Sequence, residues 1–174
     1  LGGQTAAEFF CAAQHERISY IGGWAGASTQ RDREAGFREG LKKAGKNLFS
    51  HALGNFSIDT AKVVTREMFS GSLKPDALFV ATDHMAFAVM DVLRSELRLT
   101  IPDDVSIIGF DDVPPASWAA YNLTTLRQRS NLMVDQTVRL MIDKIRDPKV
   151  ASKHIKIASP LIVRGSAKIP KGWI

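Results

Sequence analysis

Val105-Ser106-Ile107-Ile108-Gly109-Phe110-Asp111-Asp112 is an apolar, β-branched run that stops abruptly on two carboxylates. Apolar residues follow one another along it without polar alternation, which is how a strand buried on both faces reads. Working outward toward the N-terminus, runs of the same kind recur at Ala77 to Ala81, Phe49 to Leu53 and Ile18-Ser19-Tyr20-Ile21. Their starts lie roughly 30 residues apart, the length of one strand-plus-helix unit. Helical patterns fill the gaps. Ser28 to Ala44 carries Ala35, Phe37, Leu41 and Ala44 on a helical period, with Gly45 placed to end it. Ser57 to Phe69 repeats the scheme with Ile58, Ala61, Val64 and Met68, and Asp83 to Leu97 is a third helix. Strands alternating with helices predict an α/β fold, a doubly wound parallel sheet covered on both faces.

Beyond Phe110 the rhythm breaks. Leu123 to Arg127 reads as a short strand, and Asn131 to Ile145 as an amphipathic helix closed by Asp147-Pro148. Ile155 to Val163 alternates in the manner of a strand, and 168–173 reads as a tail.

Composition removes several classes of protein. The 174 residues are 45% hydrophobic and 24% charged with both signs mixed, so the chain is not disordered. Cys11 is the only cysteine, which excludes a disulfide framework. No apolar stretch approaches the roughly 20 residues a bilayer span needs. The opening LGGQTAAEFF lacks the charged and apolar regions of a signal peptide. A net charge of +5 invites a nucleic-acid reading, but bases and acids interleave, as in Arg31-Asp32-Arg33-Glu34. Lys42, Lys43 and Lys46 sit at a predicted helix end, where cations suit the helix dipole.

In an open parallel sheet, ligands bind outside the carboxyl ends of the strands. Those ends read Gly22-Gly23-Trp24, Gly54-Asn55-Phe56, Thr82-Asp83 and Asp111-Asp112. Small residues, an aromatic, hydroxyls and carboxylates thus share one edge, a mixture suited to a polar small molecule with an apolar face, such as a sugar. Catalytic patterns are poor. Gly22 to Gly26 fits neither a dinucleotide fingerprint nor a P-loop, and no Gly-x-Ser-x-Gly elbow exists. The four histidines lack metal-ligand spacing. Asp111 and Asp112, adjacent on a strand, point to opposite faces and cannot readily share a proton. No enzyme activity, cofactor or metal is therefore expected.

Several stretches carry a resemblance. They are Ile101 to Asp112, Leu123-Thr124-Thr125-Leu126-Arg127-Gln128, Leu161 to Ser166, Arg33-Glu34-Ala35-Gly36-Phe37 and His15-Glu16-Arg17-Ile18. Taken together in their order along the chain, they resemble the effector-binding core of the LacI–GalR family of bacterial transcription regulators. The resemblance implies a periplasmic-binding-protein type I fold, two similar subdomains with a small-molecule effector between them. It assigns residues 15–127 and 156–174 to the C-terminal subdomain, and 1–14 and 128–155 to an incomplete N-terminal one. It places the helix-turn-helix that reads operator DNA outside this chain, and implies a cytoplasmic homodimer with no membrane contact. A periplasmic sugar-binding protein of the same fold is the alternative.

By the same resemblance, Arg33, Phe56, Asp111 and Gln128 fall on effector-contacting positions, and Thr82-Asp83 stands where the family usually has Asn-Asp. The plainer roles are a surface ion pair with Glu34 or Glu39 for Arg33, a core position for Phe56, and a helix cap for Asp83. Gln14 replaces a usual glycine at a helix end. The helix from Asp83 is apolar nearly all round, more than a sheet alone can bury. That excess predicts a dimer contact through Phe87, Met90 and Trp118, with burial under the 113–122 loop of the same chain as the alternative.

Overall fold

The computed structural model describes residues 1–173. A first helix, α1 (Gly2–Ala12), leads into β1 (Ile18–Gly22), α2 (Ser28–Lys43), β2 (His51–Leu53), α3 (Ile58–Met68), β3 (Ala77–Val80) and α4 (Asp83–Asp91). The last helix widens into a π turn over Val92–Glu96. Then follow β4 (Ser106–Asp111), β5 (Thr124–Arg127), α5 (Ser130–Arg146) and β6 (Leu161–Ile162). The six strands form one sheet in the order β2-β1-β3-β4-β5-β6, parallel except for β6, which runs antiparallel to β5. Every residue of β1 and β3 is buried, as the unbroken apolar runs require.

The chain steps outward from β1 to β2, then back across β1 to β3 and on to β4. Right-handed crossovers therefore set α2 on one face and α3 with α4 on the other. Caps fix where the latter two begin: Ser57 Oγ accepts from the Thr60 amide and Thr82 Oγ1 from the Met85 amide.

Helix α1 packs along α2. The resemblance assigned residues 1–14 to an incomplete N-terminal subdomain, and their helix lies against α2. Ala6, Ala7, Phe9 and Phe10 are fully buried in the same core as Ile18 and Phe37. A Cβ at Gly3 would stand 2.3 Å from the Arg33 carbonyl oxygen, so the two helices cross backbone against backbone. The helix ends at Gln14, whose φ of 62° is left-handed, the conformation a glycine adopts there without strain.

Residues 168–173 are not a loose tail. The Lys168 amide donates to Ser106 Oγ at 3.0 Å, and the Trp173 ring meets Phe9 edge-on with centroids 5.1 Å apart. Ser166 anchors the segment, accepting from the Thr124 amide and donating to the Ile107 carbonyl. The alternating stretch from Ile155 pairs only at Leu161 and Ile162.

The apolar surplus of α4 is absorbed within the chain. Met90 is fully buried, and Phe87 lies under Tyr121 with ring centroids 4.2 Å apart. Of the three expected dimer contacts, Met90 and Phe87 are buried within the chain, the arrangement given as the alternative, and Trp118 is 58% exposed. Helix α5 is the opposite case. It has no buried residue, and Leu132, Val134, Met141 and Ile145 all face solvent. Among the described residues, no helix is long and apolar enough to cross a membrane.

Candidate functional site

Strand order reverses between β1 and β3, so the loops leaving these strands diverge and open a crevice at their carboxyl ends. Arg33, in the second turn of α2, reaches into it. One guanidinium nitrogen donates to the Ala81 carbonyl at the end of β3, and the charge sits 3.5 Å above the centre of the Phe110 ring. Arg33 makes no direct ion pair with a described residue, so the surface pairing with Glu34 or Glu39 is not formed; Glu34 takes Arg38 and Glu39 takes Lys43. Burial holds the Arg33 pKa below its ordinary value, and the charge of nearby Asp111 opposes the effect.

Asp111 closes β4 with no protein donor on its carboxylate among the described residues. Burial pushes its pKa up to about 6, against the pull of Arg33 and with some push from Asp83. Its carbonyl accepts from the Gln128 amide at 3.2 Å, which brings the start of the crossover beside it. Asp111 and Asp112 have φ of 126° and 61°, and Asn55 and Phe56 have 53° and 57°. Non-glycine residues held in such conformations cost about 1–3 kcal/mol each and gather at functional sites. Here one pair lies at the end of β4 and the other just beyond β2.

Phe56 is 44% exposed. Its ring covers Gly23, where an added Cβ would meet ring carbons at 2.1 Å. The ring is thus an exposed wall rather than core, and Gly23 is the floor it needs. Thr82 is half-buried at the end of β3 with its hydroxyl capping α4.

Asp83 behaves differently. It is fully buried, Oδ1 accepts from Thr125 Oγ1 at 2.6 Å, and Oδ2 accepts from the Val113 amide at 3.0 Å. Gly109 makes room for it, since a Cβ there would lie 2.3 Å from Oδ1. Burial raises its pKa, and those two hydrogen bonds hold it back. Of the two adjacent residues, Thr82 caps the helix and Asp83 bolts α4 to β5 and the 113 loop. Asp112 is also taken: it accepts from Arg127 Nε at 2.6 Å and from Arg164 at 2.7 Å.

A hollow of about 210 Å³ opens beside Arg33, lined also by Phe110, Thr29, Asp32 and the start of α1. It shares Asp32, Gly2 and Leu1 with a hollow of about 530 Å³ bounded by His154, Lys156 and Ile157. Sequence reasoning missed Phe110, which reads as one more apolar strand residue. It also missed Gln30, 1% exposed and hydrogen-bonded under the crevice. The signal for Gln30 was present: with Phe37 and Leu41 it keeps the period of the buried face of α2. Among the described residues, no three metal-binding side chains converge.

The carboxyl edge of the sheet thus carries a guanidinium, a carboxylate with no donor among the described residues and an exposed aromatic ring. The comparisons with known proteins agree with this architecture. Residues 7–167 match the family model for a periplasmic binding protein-like domain. The chain is 30% identical over 169 residues to the ribose operon repressor of Escherichia coli (strain K12), covering 96% of this chain and 51% of the repressor. A solved complex of the transcriptional regulator CelR with cellobiose superposes with a TM-score of 0.88 at 30% identity, over 95% of this chain and 51% of that one. A Lac repressor structure bound to ONPG shares the fold, with a TM-score of 0.88 at 23% identity over 95% of this chain and 50% of that one. The chain spans about half the length of the relatives it matches. With a family model matched over most of its length, the strand order of a doubly wound sheet and a crevice at the reversal point, this chain belongs to the periplasmic binding protein-like domain family, in the form of the LacI–GalR effector-binding core.

Proposed function

We propose that the chain is the ligand-sensing part of a LacI–GalR-type transcription regulator, taking a small, sugar-like polyol in the crevice and altering DNA binding in response. The observation that carries this reading is the pair of Arg33 and Asp111. Both are half-buried, interact through space, and have no ion-pair partner among the described residues, an arrangement that leaves donors on one side and an acceptor on the other for a polyhydroxylated guest. Phe56 supplies the apolar wall and Gln128 the link to the crossover. The names of the relatives point the same way, since one governs a ribose operon and another is solved with cellobiose.

In this reading residues 128–155, with the uncovered apolar side of α5, belong to a second subdomain. Residues 15–127 and 156–173 form the first, now joined by α1; residue 174 of the expected boundary lies outside the described residues. Closure of one subdomain on the other around the ligand shifts a two-state equilibrium, by no more than the ligand's differential affinity for the two states. Operator DNA is read by a helix-turn-helix outside these residues, in the cytoplasm, by a homodimer whose contact on this chain centres on Trp118. No reaction is catalysed.

The test is a thermal-shift screen of the full-length protein with ribose, cellobiose, other sugars and nucleobases. A bound ligand at 100 times its Kd raises stability by about 2.7 kcal/mol. The expected result is a clear rise in melting temperature with one sugar, absent in Arg33→Ala and Asp111→Asn. Turnover of that sugar, or an unchanged response in both variants, overturns the proposal. For the dimer, Trp118→Glu should shift sedimentation toward the monomer; an unchanged dimer places the contact elsewhere.

A further inference from the structure

We infer that Gln30 is a positioning residue of this site: it holds the β1–α2 loop in the shape that seats the Phe56 ring against the crevice. The inference rests on the ligand-site reading above, but its geometry stands apart from any ligand. Gln30 is 1% exposed, and its Oε1 accepts two hydrogen bonds, from the Gly23 amide at 2.7 Å and from the Tyr20 hydroxyl at 2.9 Å. Its Nε2 donates to Glu34 Oε2 at 3.3 Å, and a carboxylate accepts but cannot donate. The orientation of the amide is therefore fixed from both ends.

Gly23 is the point where this network meets the site. Its nitrogen is held by Gln30, and the space where a side chain would begin is filled by the Phe56 ring. The loop sits between a buried amide on one side and an exposed aromatic on the other. A backbone N–H without strand partners has few other ways to stay in place, because Gly23 lies just beyond the last paired residue of β1. Glu34 is steadied in turn by Arg38 at 2.8 Å and approached by His51 at 3.5 Å. Gln30 never touches the crevice, so it acts only through Gly23 and Phe56.

The experiment replaces Gln30 by Met in the full-length protein, keeping the volume and removing the acceptor. Two signals report the loop directly. One is hydrogen exchange at the Gly23 amide, expected to quicken tenfold or more while the amides of Ile18 to Ile21 stay protected. The other is the Gly23 α-proton shift under glycine-selective labelling. The Phe56 ring current displaces it in the parent protein, and it should move in Gln30→Met toward its value in Phe56→Ala. The swapped pair Gln30→Glu with Glu34→Gln rebuilds acceptor and donor in reverse and should restore both signals. If Gln30→Met fails to fold, the double variant with Tyr20→Phe removes the orphaned hydroxyl and is read the same way.

Unchanged Gly23 signals overturn the inference. So does a loss of protection shared by all of β1, which marks Gln30 as merely structural. A binding arm with D-ribose and cellobiose as probes should show Kd raised about tenfold in Gln30→Met, with recovery in the swapped pair. If no sugar in the screen binds the parent protein, the sugar reading fails while the Gly23 signals still decide the role of Gln30.

Discussion

At the carboxyl edge of the sheet, the loops after β1 and β2 and the residues around β3, β4 and β5 use polarity in opposite ways. On the first side Phe56 stands open over Gly23, on a loop with two successive left-handed residues. On the second, Asp83 and Asp112 have both carboxylate oxygens taken by Thr125, Val113, Arg127 and Arg164. Asp111 sits at the boundary, next in sequence to Asp112 yet without a protein donor among the described residues. The lesson is that hydrogen-bond saturation, more than residue type or strand-end position, distinguishes the carboxylates that hold the fold from the proposed ligand contact.

The comparison can be broken most directly at Asp83. Asp83→Ala leaves a buried hydroxyl and an amide without their acceptor and empties the space behind Gly109, and it should cost about 3 kcal/mol in denaturant unfolding. An unchanged midpoint would mean that the saturated side is not the structural one. Asp112→Ala comes next. It strands Arg164, whose side chain is only 16% exposed, while the half-exposed Arg127 is rehydrated, so the expected loss is about 2 kcal/mol. Arg33→Ala gives up its position over Phe110 and one hydrogen bond to Ala81, about 1 kcal/mol, and with it all ligand-induced stabilisation. Phe56→Ala should stay within about 0.5 kcal/mol of the parent when empty and still lose ligand.

Much of this edge was legible in the sequence. The runs ending at Gly22, Leu53, Val80 and Asp111 are strands, and Thr82 and Asp111 stand at the carboxyl ends of β3 and β4. What sequence could not separate was Asp83 from Asp111. Each is a carboxylate at a strand end, and the difference lies in Thr125 and Val113, which come within reach only when β5 is laid beside β4. Only the end of helix α1, at Gln14, was legible, for a related reason. Its two opening glycines and its lack of a capping side chain speak against a helix locally. Burial of Phe9 and Phe10 against Phe37 overrides them. The excess apolar surface of α4 needs cover, and Tyr121 of the 113–122 loop lies over Phe87, a contact no periodic pattern encodes.

The finest test of the boundary is titration of Asp111 itself. Its pKa in the folded chain is about 6, above the ordinary value near 3.9, so the unfolded chain loses this proton first as pH rises. The native state then binds more protons than the unfolded one, and this group's contribution to stability falls between about pH 4 and pH 6 and is level above that. Asp112 works in the other direction and in a lower window. Arg127 and Arg164 hold its pKa below the ordinary value against the effect of burial, so its contribution is lost only as pH drops through that depressed pKa. Subtracting Asp111→Asn from the parent should leave a difference in unfolding midpoint that grows from pH 4 to 6 and then stays constant, with the variant the more stable. Ligand affinity should move the opposite way: a guest hydroxyl donating to Asp111 needs the carboxylate, so Kd rises up to about tenfold for each pH unit below 6. A flat difference curve together with pH-independent binding would put Asp111 among the saturated carboxylates and erase the contrast between the two sides.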